Sequence, residues 1–419
     1  MKHALFISIC LLLILPAFAQ DAPIQETEKV TKGPEMVVET FTGKVTPKEI
    51  AAFKNYIDSV PAPATHDRNV MVYGNPGKIL EACGMMYEVT NDSAILNRMI
   101  YYADAAMAGR NDVEDPGKAG RRILWTGKVE PVWPSSKPSV SPADAGIATG
   151  SVLAHILYTS KLILSNPSLW DQKINIPNAS GKGTTYKERA MWYVKEADYV
   201  IDTWILPHYV RADKKFYFPG APNTYKPNEA APWNQLFMLT NGLVRLSQCH
   251  VLLKDEPAKV KLYDEMVKVN VDWFKANTTV FKSPVGTPCW KFKYALVSRI
   301  EDTNHFAYDS EGMWLAWDAG KYGVTLQDMT MMANTYFDVV LATKTDGHFA
   351  GNVDGTTGKG HAGGDNYVRD EYIYLADIRK DKFELVGQIE RDSKKIAQSA
   401  QITARLLWLK NRRFKQGIK

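Results

Sequence analysis

From Thr46 onward one pattern dominates the chain. Apolar residues recur every three to four positions, and stretches rich in Pro, Gly and Trp interrupt them. The periodicity predicts helices over 47–57, 77–89, 92–107, 144–164, 185–205, 233–253, 258–277, 304–320, 326–342 and 382–410. Thr46 with Pro47 has the composition of an N-cap and first turn. Thr90-Asn91-Asp92 reads as a break between two helices. Strand signals are confined to short pieces at 215–218 and 290–294. Successive helices joined by irregular connections predict an all-α chain, an (α/α) toroid or barrel of six or seven helix pairs with few short strands in its loops. No strong internal repeat is visible, which disfavours a regular solenoid. The longest connections, 118–142, 209–231, 279–302 and 344–369, carry most of the unusual side chains, as binding loops on a rigid scaffold do.

The first 45 residues differ. Residues 1–19 read as a secretory signal peptide: Lys2 is the positive head, Ala4 to Pro16 the apolar stretch, and Ala17-Phe18-Ala19 the cleavage site. Residues 20–45 are polar and unpatterned and read as a leader with little structure of its own. That leaves 46–419 as one catalytic domain, exported to the periplasm or beyond, with no membrane anchor expected. No later stretch reaches the roughly 18 apolar residues of a membrane span.

Composition adds limits. Beyond the signal peptide three cysteines remain, Cys83, Cys249 and Cys289. They lack metal-ligand spacing, and their odd number prevents full internal pairing, so buried thiols are expected. The formal charge is +5. This suits a polyanionic ligand, but no dense basic stripe points to nucleic acid. The chain has no His-Glu-x-x-His, P-loop or Gly-x-Ser-x-Gly, and neither metal nor cofactor is expected. Oligomeric state is not encoded in any pattern here.

Polar side chains concentrate in three segments. In the first, Arg299, Glu301, Asp302, Asn304, His305, Tyr308 and Glu311 crowd the start of an apolar helix, with Asp302 or Thr303 as its N-cap. His305 and Tyr308, three apart, share one helix face. Histidine is suited to proton transfer near neutrality, and a tyrosine can join it if a positive neighbour, here Arg299, lowers its pKa. In the second, Trp233, Asn234 and Gln235 occupy a first helical turn, where amides can meet an anion. In the third, glycines flank His361, Asn366, Tyr367 and Arg369, all suitable partners for sugars and carboxylates. Trp133, in the stiff loop 130–134, is a candidate sugar platform. His155 and Tyr158 repeat the His/Tyr spacing. Trp314 and Trp317 read as core.

These motifs resemble those of the α/α-toroid polysaccharide lyases, specifically polysaccharide lyase family 38, whose members cleave glucuronan or alginate. The matching residues are Pro232-Trp-Asn-Gln235 and Arg299-Ile-Glu-Asp-x-x-His305-x-x-Tyr308-Asp309, together with the signal peptide and helical body. The resemblance implies that Asn234 offsets the charge of a uronate carboxylate while Tyr308 and His305 move protons, with Arg299 as a supporting cation. The Asn-Asn-His-x-x-Trp motif of a related alginate-lyase family is absent, which leaves the order of roles between His305 and Tyr308 open.

The expected reaction is metal-independent β-elimination in a 4-linked uronate polymer. The C5 proton is removed, O4 leaves, and a C4–C5 double bond remains. Gln235, Trp233, Trp133, Glu301, Asn304, His361, Tyr367, Arg369 and Tyr158 are the expected substrate-binding residues. The alternatives are a toroid glycoside hydrolase using two of Glu301, Asp302, Asp309, Glu311 and Asp365, or a sugar-binding protein without turnover.

Overall fold

A computed structural model describes residues 34–63, 69–74, 78–114, 121–137, 139–176, 181–221 and 224–418. The expected signal peptide and the first part of the leader lie outside these residues. The chain is mostly helical, with 57% helix and 7% strand.

The first eight helices are α1 (Pro47–Ser59), α2 (Val70–Gly74), α3 (Lys78–Thr90), α4 (Ser93–Ala108), α5 (Thr149–Leu164), α6 (Tyr186–Val200), α7 (Leu206–Tyr209) and α8 (Trp233–Leu253). There follow α9 (Pro257–Ala276), α10 (Thr303–Asp318), α11 (Leu326–Asn334), α12 (Asp370–Ile373), α13 (Leu375–Ile378), α14 (Phe383–Asp392), α15 (Lys395–Gln398) and α16 (Ala400–Lys415). Two antiparallel hairpins, β1 (Thr279–Lys282) with β2 (Pro288–Lys291) and β3 (Lys344–Thr345) with β4 (His348–Phe349), decorate the loops.

Local chemistry sets where many helices begin. Thr46, Thr185 and Thr325 each open a reciprocal capping box, with Glu49, Glu188 and Asp328 respectively. Asp92 and Asp302 cap α4 and α10 through their carboxylates. Helix ends depart from the simple periodic reading. The 185–205 stretch finishes in a π turn at Ile201–Ile205, and α11 runs into another at Thr335–Val340. The expected single helix over 382–410 is three, because Lys394 takes a left-handed φ of 62° and Ser399 turns extended to cap α16. The expected helix over 144–164 starts only at Thr149.

Glycines allow the closest crossings. A side chain at Gly150 of α5 would strike the Leu239 backbone of α8, and Gly242 of α8 faces the Gly150 carbonyl. Gly312 of α10 makes room for the Phe237 ring of α8. Helix α8 is apolar and long enough to cross a membrane by composition, but 72% of its most apolar window is buried inside the protein, so it reads as a core helix. It packs between α5 and α10, with α9 behind it. Helix α3 packs against α4, α5 and α16, and α12 packs against α10 and α16.

The described part of the leader has no helix or strand, yet it is fixed. Met36 and Val38 are buried, and Phe41 sets its ring edge-on to Phe383 over Gly387. Cys83, Cys249 and Cys289 are free thiols, all buried.

Candidate functional site

The start of α10 is built by backbone pairing. Tyr294 N–H donates to the Arg299 carbonyl, Glu301 N–H to Phe292, Thr303 N–H to Gly351 and Val353 N–H to Glu301. These bonds fix Glu301 and Asp302 in a dry setting, both with no exposed surface. Asp302 accepts the His305 backbone N–H at 3.0 Å and the His305 Nδ1–H at 2.8 Å, and Arg299 Nη2 lies 2.9 Å from it. Burial pushes the Asp302 carboxyl up, but the His305 hydrogen bond and the Arg299 charge outweigh it, holding it below the ordinary range. An ionised carboxylate can only accept, so Nδ1 carries the hydrogen and Nε2 is left as the basic nitrogen.

Behind this pair, Glu301 and Asp309 meet as two fully buried carboxyls. Burial raises both well above their usual values; Asp309 and Asp302 raise Glu301 further, and Asp302 raises Asp309, whose hydrogen bond with Glu301 works the other way. They hold a proton, so the motif carries less negative charge than its three acids suggest.

Tyr308, one turn further on, has surroundings the sequence did not indicate. Its cation is Lys78 at the start of α3, with Nζ 5.1 Å from the ring centroid. Arg299, expected in that role, is engaged with Asp302 and with the face of Tyr294. Burial drives the Tyr308 phenol up to about 12, with Lys78 pulling it back. At neutral pH the phenol therefore keeps its proton. Lys78 sits 3.3 Å from Asp370 and contacts Glu371. Further in, Arg405 joins Asp370 and Glu311, Arg245 joins Glu81, and His155 Nδ1 lies 3.0 Å from Glu81. The Glu311 carboxyl is lifted by burial to about 7.

The three polar segments converge. Trp233 N–H, in the first turn of α8, donates to the Tyr294 carbonyl at 3.3 Å. The Tyr294 ring lies 4.7 Å from that of His305, and the His361 ring lies 5.2 Å from that of His305. Tyr225 joins through its hydroxyl, 3.2 Å from that of Tyr294. Asn234 is buried with an Oδ1 that meets no donor among the described residues. Gln235, Asn304, Tyr367 and Arg369 are half-buried and His361 is exposed. Arg369 pairs with Asp365 at 2.8 Å, and Lys395 covers the face of Tyr367.

Three expected sugar contacts are core residues instead. Trp133 has no exposed surface and donates its indole N–H to the Ala106 carbonyl, so it offers no platform. Trp233 packs edge-on against Trp273 and Phe274. Tyr158 is buried under Arg245, 4.4 Å from its ring. Each is a large aromatic buried in the helical core, the usual state of such rings. Lys78 is the neighbour that the sequence reading missed. Lys78 stands alone in an apolar segment, and no spacing rule links it to position 308.

Glu301, Asp302 and His305 each offer an atom within 4.8 Å of the others, a separation a metal ion could bridge. An ion there would displace the Nδ1 contact and compete with Arg299 for the same carboxylate, so the present arrangement is a hydrogen-bonded one. No family model, curated protein or solved structure matches this chain.

Proposed function

We propose that the chain is a polysaccharide lyase that cleaves a 4-linked uronate polymer, alginate or glucuronan, by β-elimination. The observation that carries this reading is the Asp302–His305–Tyr308 series on one helix. It places an oriented imidazole with a basic Nε2 one turn from a phenol that keeps its proton. His305 takes the C5 proton. The C4–O4 bond breaks as the C4–C5 double bond forms, and Tyr308 protonates O4. Asn234, whose amide oxygen meets no donor among the described residues and whose amide nitrogen can donate, and the exposed Arg299 are the groups suited to charge building on the uronate carboxylate.

An (α/α) toroid is the architecture that goes with this reading. Its support is a circuit of neighbours: α3 beside α5, α5 beside α8, α8 beside α10, α10 beside α12, α12 beside α16, and α16 beside α3. Export through the signal peptide fits a polymer substrate. The hydrolase alternative has less support, because Glu301, Asp302 and Asp309 are fully buried, while Glu311 and Asp365 are tied to Arg405 and Arg369.

The test is ultraviolet absorbance of the protein mixed separately with alginate and glucuronan, chelator present. A rising signal from the unsaturated uronate supports the lyase and names its polymer. New reducing ends without absorbance would replace it with the hydrolase.

A further inference from the structure

We infer that Lys78 is a positioning residue for Tyr308: its ammonium, clamped from behind, fixes the ring and steadies the phenolate formed when the hydroxyl gives up its proton. This rests on the lyase reading above. Lys78 is the first residue of α3 and is 7% exposed. A buried lysine is costly unless paired, and this one has two partners from one short helix, Asp370 at 3.3 Å and Glu371 in contact. Both its acids are thus committed, so Lys78 is not a ligand for a substrate carboxylate. Its remaining face lies against Tyr308, 5.1 Å from the ring centroid.

Charged groups from several elements act on the Lys78–Tyr308 pair. Lys78 comes from α3, Asp370 and Glu371 from α12, Arg369 from the residue before it, and Glu311 from the next turn of α10, with Arg405 of α16 bridging Asp370 and Glu311. Of these, Lys78 acts most strongly in favour of the phenolate. In the proposed step the C5 proton goes to His305 and the Tyr308 proton to O4, leaving an imidazolium and a phenolate until a proton passes between them through solvent. The phenolate exists only in that interval, so a cation held against its ring lowers the barrier without taking part in bond making.

The experiment places a ring-fluorinated tyrosine at position 308 and follows its ionisation by fluorine NMR. Three backgrounds are compared: the parent chain, Lys78→Met, and the Lys78→Met/Glu371→Gln double variant. The double variant leaves no unpaired acid at Glu371 and guards against misfolding of the single one. The midpoint is expected to rise by about one pH unit in Lys78→Met, roughly tenfold in the ionisation constant, and by less in the double variant. An unchanged or lowered midpoint in both overturns the inference. Kinetics on the matching polymer supply a second readout: kcat at least about tenfold lower in the double variant with KM kept, and kcat restored by Lys78→Arg. Parental kcat in the double variant would reduce Lys78 to a counter-ion for Glu371. The NMR titration needs no turnover, so a parent chain that yields no unsaturated product counts against the lyase reading and leaves the Lys78–Tyr308 coupling to stand or fall on its own midpoint.

Discussion

Asp302 holds His305 at two points, accepting its backbone N–H at 3.0 Å and its ring Nδ1–H at 2.8 Å. One carboxylate thus starts the helix and orients the imidazole. Asp302→Asn keeps a capping oxygen but loses the charge that holds the tautomer. Turnover is expected to fall on the order of 100-fold, while the melting temperature drops only a few degrees. Steady-state rates and thermal melts on the same preparations separate the two effects, and a variant with the parental rate would remove His305 from the proposed chemistry.

Tyr308→Phe removes only the hydroxyl from a ring already packed against Lys78. Loss of turnover between about 100-fold and 10,000-fold is expected, with polymer affinity kept. Isothermal titration with an oligouronate beside the rate assay checks both halves. Retained activity would pass the acid role to another tyrosine, and Tyr294 beside His305 is the first to test.

Glu390 gives a pH dependence of stability distinct from any of activity. It is fully buried. One oxygen accepts the Val368 N–H at 2.6 Å, and the other meets no donor among the described residues. Burial lifts its carboxyl to about 8 from an ordinary value of 4.5. The folded state therefore binds the proton more tightly than the unfolded state. The contribution is complete below about 4.5 and is lost as pH climbs through about 8. Urea unfolding at acid and alkaline pH should show a smaller alkaline loss for Glu390→Gln than for the parent, and parallel losses would contradict this.

Glu49 and Lys410 form an ion pair with no exposed surface, at 2.8 and 3.0 Å. Lys410→Met alone strands a buried carboxylate and is expected to cost about 3–5 kcal/mol, with Lys410→Met/Glu49→Gln recovering part of it. Denaturant midpoints of the three proteins decide. A double variant no better than the single one would mean that the capping bonds of Glu49, and not its charge, dominate.

Gly150 supports the α5–α8 crossing. A methyl group there would lie 2.4 Å from the Leu239 Cα, a backbone atom that cannot swing aside. Gly150→Ala should destabilise by about 2 kcal/mol or more. An unchanged melting temperature would show that the two helices can separate freely.

The helices were legible in the sequence where a cap and a periodic face agree, as at Thr46 and Asp302, and along α8, whose periodic face marks it without a side-chain cap. They were less legible where the backbone itself changes winding. The π turns at Ile201 and Thr335 and the left-handed Lys394 leave no mark on apolar spacing. Within the site, the Asp302–His305 pair follows from positions three apart on one helix. The Lys78–Tyr308 pair does not, because 230 residues separate its members and packing alone brings them together. Trp133 and Tyr158 have side chains suited to sugar binding, but the core claimed them, and composition cannot distinguish a stacking platform from a buried ring.

The placement of Arg405 bears on how the protein is made. Glu311 and Asp370 leave the ribosome well before α16, which carries the arginine that neutralises them. Until α16 docks beside α3, Glu311 lacks its arginine and Asp370 has only the Lys78 ammonium that it shares with Glu371, a state that favours water over a closed core. A nascent chain stalled before residue 400 should remain open and protease-sensitive, because losing α16 removes a charge from the centre of the molecule rather than from its edge.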